Sequence, residues 1–317
     1  MKILNCLIPL IVTFLTCYNQ AHSNDLVQEG RDAISNKDFV TAKQYFETDS
    51  QNPEAQFNLG IMYEDGEGVP KDYKKAFNYY QMAANKNYAE AQYNLALLYV
   101  KGLGINQNYD KAYEWFTKAA QQNNMEAQYN LGMFYLGGVA CKASDKNAFA
   151  WFTQSKTENA NYNRALMYLS GNGTEINKTK AFNILKKLAD LNRIVAQYNI
   201  GVIYLNGFDD IKPNPKKAFS YFSKASSENF SEAQYNLALM YLDGNGVKKN
   251  ATKAFDFMSK AANNGYPDAQ YNLAMMYDHG LGVKPDKNKA KLWLAKADNL
   301  AKLQAALKFS DLKNNVK

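Results

Sequence analysis

The sequence predicts an all-α fold in which helical hairpins stack one after another along the chain. Three observations predict it. One nine-residue phrase recurs seven times within the 317 residues. A turn follows each copy, and a second segment with helical periodicity follows the turn. Neither segment of such a pair can bury its apolar face alone, so neighbouring pairs have to pack against each other.

The recurring phrase, Ala-Gln-Tyr-Asn-Leu-Ala/Gly-x-x-Tyr, predicts the first helix of each hairpin. Its copies begin 36, 36, 33, 36, 37 and 36 residues apart. In the second copy, apolar residues at i, i+4, i+7 and i+8 form one helical stripe. Ala96 is a small residue at which a partner helix can approach closely. The copies begin at Ala55, Ala91, Ala127, Ala160, Ala196, Ala233 and Ala269.

The turn and the second segment complete the hairpin. In Lys101-Gly102-Leu103-Gly104, the first glycine suits the left-handed residue that ends many helices. In the segment that follows, Ala112, Trp115 and Phe116 form a second apolar stripe. The two stripes predict two antiparallel helices in each repeat.

These elements resemble the Sel1-like repeat family, a relative of the tetratricopeptide repeat. The elements Ala-x-x-x-Leu-Gly-x-x-Tyr, Gly-x-Gly-Val and Ala-x-x-Trp/Phe-Phe carry the resemblance, which covers about residues 55–297. It implies a right-handed α/α superhelical solenoid of Sel1-like, tetratricopeptide-type hairpins that serves as a scaffold for other proteins. The predicted organisation is a signal peptide at 1–23, a degenerate N-terminal hairpin at 24–50, seven repeats at 51–297, and a C-terminal capping helix and tail at 298–317.

The first residues have the pattern of a secretory signal peptide. Lys2 and a mostly apolar run from Ile3 to Phe14 precede small residues at Ala21 and Ser23. Cleavage after Ser23 would make Asn24 the first residue of an exported protein, either periplasmic or secreted, or lumenal if the source is a eukaryote.

Two alternatives to this cleavage are a lipoprotein start at Cys17 and an uncleaved anchor. No later stretch of about 20 apolar residues exists, so no stable membrane span is expected in the mature chain. That chain would keep Cys141 alone, and an internal disulfide is therefore not expected.

The junction between the third and fourth copies is irregular. Ala148 and Ala160 are 12 residues apart, whereas the equivalent Ala76 and Ala91 are 15 apart, which predicts a second helix shortened by about a turn. In the fourth copy, Arg164 replaces the usual Leu. Because a buried unpaired arginine is costly, Arg164 should either reach solvent at a bend or pair with an acidic group.

The tyrosines of the phrase predict a partner-binding surface. In tetratricopeptide relatives the equivalent positions line the concave face, and Tyr and Met are favoured at recognition surfaces. A groove of this kind suits an extended or helical segment of a partner. The alternative is that these residues only stack and bond between neighbouring repeats. The candidate partner-binding residues are Tyr93, Tyr129, Tyr162, Tyr198, Tyr235, Tyr271, Leu97, Met133, Leu166, Leu239 and Arg164.

The sequence offers little chemistry for catalysis. Cys141 and His279 fall in the turns of different repeats, so a nucleophile–base pair is not predicted. Zinc needs several His or Cys ligands at short spacing, and the Gly-x-Gly turns lack the Gly-Lys-Ser/Thr ending of a phosphate loop. We predict no enzyme, no cofactor, no metal and no small-molecule substrate.

The charge argues against a nucleic-acid partner. The net charge is +7, but only three residues are arginines and the lysines are scattered along the sequence, so nucleic-acid binding is not predicted. The predicted function is an exported protein–protein interaction scaffold, in envelope processes or host interaction. One alternative is a structural bridge in periplasmic cell-wall or polysaccharide machinery. Another is an enzyme such as a β-lactamase-like relative, which the lack of paired cysteines disfavours.

Overall fold

The computed structural model describes residues 25–208 and 211–298. Within these ranges the chain is helical throughout, apart from turns and one isolated bridge between Phe208 and Ile211. The predicted signal peptide lies outside the described residues, as does the predicted C-terminal capping segment apart from Asp298. The all-α prediction, with consecutive helical hairpins, is confirmed.

Each hairpin has a first and a second helix. The first helices are residues 25–35 (α1), Pro53–Asp65 (α3), Ala89–Lys101 (α5), Met125–Gly137 (α7), Glu158–Ser170 (α9), Ile194–Asn206 (α11), Ser231–Asp243 (α13) and Pro267–His279 (α15). The second helices are Phe39–Thr48 (α2), Tyr73–Asn85 (α4), Tyr109–Gln121 (α6), Asp145–Gln154 (α8), Lys178–Asp190 (α10), Pro215–Ser227 (α12), Ala251–Asn263 (α14) and residues 287–298 (α16).

The hairpins form two compact units. The first unit comprises the described residues up to Met167 together with Asn172–Glu175, and the second comprises Tyr168–Gly171 with the described residues from Ile176 onward. The division therefore falls near the end of α9, in the repeat that follows the irregular junction.

Side chains and glycines define the ends of the helices. Asp72 precedes α4, and its carboxylate accepts the backbone N–H groups of Lys74 and Lys75, both at 3.0 Å. Such a bond satisfies N–H groups that have no partner inside the helix. At the other end, Gly102 follows α5 with φ of 67° and ψ of 34°, the left-handed conformation that the turn pattern predicts.

The core is built from large rings of the second helices and small residues of the first. Phe116 of α6 is fully buried together with Ala96 of α5 and Leu131 of α7, so one second helix fills the space between two first helices. Tyr80 of α4 occupies the equivalent place, and a Cβ atom added to Gly60 would lie 2.5 Å from its ring. The small residues of the phrase therefore make room for these rings.

The second glycine of the turn sets the distance between repeats. Gly246 has a φ of 74°, and a Cβ atom there would lie 2.5 Å from the carbonyl carbon and oxygen of Pro215, at the start of α12. Gly104 makes the same approach to Tyr73 at the start of α4. The turn of one hairpin thus rests directly on the backbone of the preceding second helix.

The shortened helix is found where the spacing predicts it. The helix α8 has ten residues, whereas α6 and α10 have thirteen. Ser155 ends α8; it is fully buried, and its hydroxyl donates to the backbone oxygen of Met125 at 2.8 Å. None of the helices in the described ranges is long and apolar enough to cross a membrane.

Gly246→Ala is expected to destabilise the second unit by about 2–4 kcal/mol, because strain at positive φ adds to a clash with the backbone of Pro215. Gly265→Ala is the matched control, since Gly265 has a φ of 83° and nothing within 4 Å of an added Cβ atom. It should cost about 1 kcal/mol. Urea denaturation followed by circular dichroism measures both, and equal losses would contradict the close approach.

Tyr80→Phe is expected to make stability less sensitive to alkaline pH. Burial, and then the hydrogen bond that Tyr80 donates to Glu64 Oε2 at 2.6 Å, raise the pKa of Tyr80 far above its ordinary value. The unfolded tyrosine loses its proton near pH 10 and the folded one keeps it, so stability falls as pH rises above about 10.

The measurement is the urea midpoint at about pH 8 and about pH 11. Tyr271→Phe is the control, because its ring is 53% exposed. If Tyr80→Phe and the unmodified chain lose the same stability between the two pH values, the argument from burial is wrong.

Candidate protein-interaction surface

Neighbouring first helices are joined by side-chain contacts within each unit, and all the predicted partner-binding residues lie on these helices. We call this set of helices the first-helix row. In the second unit, the Asn272 amide donates to the Tyr235 hydroxyl at 3.1 Å, which joins α15 to α13. Asn236 forms the same kind of contact with Tyr198. Burial raises the pKa of the Tyr198 hydroxyl, and the contact with Asn236 offsets part of that rise. These contacts are the bonding between repeats that the sequence offers as the alternative to partner binding.

Tyr93, Tyr129 and Tyr198 also pack against rings of the second helices. Ring centroids are 5.8 Å apart for Tyr93 and Phe116, and 5.9 Å apart for Tyr129 and Phe152. Burial raises the pKa of Tyr93. Tyr93, Tyr129, Tyr162, Tyr198 and Tyr235 are all half-buried, whereas Tyr271 is exposed. The half-buried tyrosines thus leave only part of their surface to solvent.

In the first unit the predicted aliphatic residues expose a strip of apolar surface. Met133 of α7 is 40% exposed and Leu166 of α9 is 37% exposed, while Leu97 of α5 is half-buried. The Asn163 amide lies 4.0 Å from the Met133 sulfur, so α7 and α9 are neighbours here. This strip is available for apolar contacts with a partner.

In the second unit the predicted residue Leu239 lines an apolar cleft of about 210 Å³. Leu and Met side chains from α13, α14, α15 and the turn after α15 form most of its wall. The cleft lining also includes Met276, His279 and Leu281, which are not among the predicted partner-binding residues. The sequence places them in the core or in a turn. Their proximity follows from the turn folding back beside α15. The cleft is lined by Leu239, Leu242, Met258, Asn272, Met275, Met276, His279 and Leu281.

Arg164 lies in the α9 part of the first unit and is half-buried. Its Nε atom is buried without a hydrogen-bond partner, and no ion pair among the described residues includes its side chain. The acid pairing that the sequence offered as one outcome is therefore not formed within this part of the chain. The arginine replaces buried residues such as Leu131 and Ile200, which explains why part of its side chain is enclosed.

Sequence reasoning missed a structural role for the glutamine of the phrase. Gln92 is 1% exposed, and its amide donates to the Ala84 backbone oxygen at 3.2 Å, at the end of the preceding second helix. Its own oxygen accepts the Gln122 amide at 2.8 Å. Gln128 lacks the latter contact, and a cleft of about 320 Å³ lies beside its unpaired Oε1. The Oε1 atoms of Gln56 and Gln270 are also buried without a partner among the described residues. The recurrence of Gln at the second position of the phrase is the sequence signal that could have indicated this role.

Cys141 and His279, the two residues considered for nucleophilic chemistry, belong to different units. Cys141 is half-buried in the first unit, where burial raises the pKa of its thiol, and His279 is exposed in the second unit. The imidazole Nδ1 of His279 lies 3.0 Å from the Met275 backbone oxygen. Among residues 25–208 and 211–298, no group of three His, Cys, Asp or Glu side chains could hold a metal ion.

The repeats match a known family model. The Sel1 repeat model matches seven segments: residues 53–88, 89–124, 126–157, 158–192, 194–230, 231–266 and 267–297. A search of curated protein sequences found no match.

Two solved structures show the same fold. A Sel1 repeat protein from Oxalobacter formigenes is similar with a TM-score of 0.68 and 25% identity, over 93% of this chain and 87% of that chain. A protective antigen of uropathogenic Escherichia coli is similar with a TM-score of 0.55 and 24% identity, over 88% of this chain and 77% of that chain. Because the seven matched segments span most of the sequence, this chain belongs to the Sel1 repeat family.

Proposed function

We propose that this protein is an exported, non-catalytic scaffold that binds a partner protein through its first-helix row, in envelope processes or in interaction with a host cell. Sel1 repeat proteins are generally scaffolds for protein–protein interactions. The observation that carries the proposal is the apolar cleft at Leu239, because a groove lined by Leu and Met receives apolar side chains of varied shape.

The exposed residues around the cleft suit the same role. Tyr271 is 53% exposed on α15, the helix that supplies Met275 and Met276 to the cleft wall. A rigid aromatic ring beside an apolar pocket is typical of the residues that dominate binding energy at protein interfaces. The occupant that fits is one apolar face of an extended or helical segment.

A photoreactive benzoylphenylalanine placed at Tyr271 should cross-link to the partner, and one placed at Val40 should not. Val40 is a suitable control because it is 63% exposed and lies on a second helix of the first unit. With the partner identified by mass spectrometry, Tyr271→Ala combined with Met275→Ala should weaken binding at least tenfold, or about 1.4 kcal/mol. Val40→Ala should change it less than about twofold.

Titration calorimetry measures these affinities, and circular dichroism checks that the helices remain. Unchanged affinity of the Tyr271→Ala/Met275→Ala variant with an intact helical spectrum would place the binding site elsewhere. Equal cross-linking from Tyr271 and Val40 would also count against the first-helix row.

Export makes a separate prediction. The mature protein should begin at Asn24, because Ala21 and Ser23 suit signal-peptide cleavage. Intact-mass analysis of periplasmic and medium fractions measures the start of the chain. Cys17→Ser should leave this processing unchanged, whereas a lipid-modified chain that begins at Cys17 would contradict it.

A further inference from the structure

Charged side chains in the second unit are segregated between the two kinds of helix. The second helices α10, α12, α14 and α16 carry thirteen lysines and three aspartates. The first helices α11, α13 and α15 carry no lysine or arginine and four acidic residues. In the first unit, α2, α4, α6 and α8 together carry only six lysines and four acidic residues, so the excess belongs to the second unit.

The second helices of this unit lie side by side, because a tyrosine of each first helix is inserted between two of them. Tyr204 of α11 meets Phe182 of α10 edge-on at 5.9 Å and stacks on Tyr221 of α12 at 5.8 Å. Tyr241 of α13 bridges α12 and α14 in the same way. We call α10, α12, α14 and α16 of this unit the second-helix row.

Lysines frame the inserted rings in each repeat of this row. Lys217 Nζ lies 5.0 Å from the Tyr204 ring centroid, and Lys224 Nζ lies 5.5 Å from that of Tyr221. The two lysines are seven residues apart, or about 10 Å along the helix. The equivalent pairs are Lys253 over Tyr241, Lys260 over Phe257, Lys289 over Tyr277 and Lys296 over Trp293, at 5.5, 5.1, 5.3 and 4.0 Å.

Most of these ammonium groups are not neutralised by the chain itself. Lys289 is 3.7 Å from an Asp286 carboxylate oxygen. No carboxylate of the described residues lies within ion-pair distance of the other five, which are Lys217, Lys224, Lys253, Lys260 and Lys296. Packing of the lysine stems over aromatic rings holds the charges in a regular array while leaving the ammonium groups open to solvent.

We infer that the second-helix row of the second unit is a docking surface for a segment of a protein partner rich in Asp and Glu. This surface lies on different helices from the first-helix row and is a second interaction site. A polyproline II segment has three residues per turn and rises about 3.1 Å per residue, so its side chains at i and i+3 lie on one side about 9 Å apart and match the spacing of the two lysines.

The rings and the charges disfavour other anionic occupants. Stacked nucleobases need free ring faces, whereas Tyr204 and Tyr221 cover each other and carry lysines. The guanidinium group of arginine suits phosphates because it can donate two parallel hydrogen bonds. Between residues 176 and 298 the sequence has one arginine, Arg193. A membrane-surface helix needs a face of exposed apolar residues, whereas Leu292 of α16 is the one exposed large hydrophobic side chain within the described helices of the row.

The test is fluorescence anisotropy with a labelled peptide of about fifteen glutamates and the full chain, at about 50 mM and 500 mM salt. We expect binding at the lower salt that is lost at the higher. A variant with Lys217→Gln, Lys224→Gln, Lys253→Gln, Lys260→Gln and Lys296→Gln should bind at least tenfold more weakly. The control carries Lys74→Gln, Lys101→Gln, Lys142→Gln, Lys146→Gln and Lys156→Gln, five exposed lysines of the first unit with the same change in net charge. It should lose less than twofold.

Several outcomes overturn the proposal. One is an absence of peptide binding, and another is an equal loss in the two variants, which would indicate net charge alone. Tighter binding of oligothymidylate or of vesicles with anionic lipid would assign the surface to nucleic acid or membrane. A salt-sensitive dimer in sedimentation velocity that the first variant abolishes would assign it to a second copy of this chain.

Discussion

The packing of one large second-helix ring against small first-helix residues is the contact on which the structure depends. Phe116 is buried only because Ala96 on one side and Leu131 on the other belong to two successive repeats. A hairpin alone would leave that ring without the contact that the next first helix supplies. Stability is therefore shared between neighbours, as in other repeat proteins, and the small residues and turn glycines set how closely the repeats approach.

This construction leaves each unit with two rows of helices whose surfaces differ chemically. Most aromatic rings pack between the two rows. The side chains at the other helical positions therefore form the exposed surface. In the second unit these are Leu, Met and acidic residues on the first helices, and lysines on the second helices. A protein with two unlike surfaces can hold two partners of different chemistry, which is what a scaffold requires.

The junction between the α7–α8 repeat and the α9–α10 repeat departs from the regular pattern. Beside the short α8, the oxygen of Gln128 is without the amide contact that Gln92 receives from Gln122. Arg164 then enters a position that is a fully buried aliphatic residue elsewhere, such as Leu237. Buried unpaired groups of this kind are costly, and the two compact units divide near the end of α9, in the repeat that carries Arg164.

The sequence by itself determined the fold class, the seven repeats and the short α8, because helical periodicity, capping residues and repeat spacing are local properties. It also identified first-helix residues as candidates for partner binding. It did not determine whether Tyr198 would be exposed or packed against Phe222, since that depends on the neighbouring repeat. The lysines looked scattered because residues such as Lys217 and Lys253 are 36 positions apart. Only tertiary stacking, which brings equivalent positions of successive repeats together, gathers them into one row and closes the cleft around Leu239.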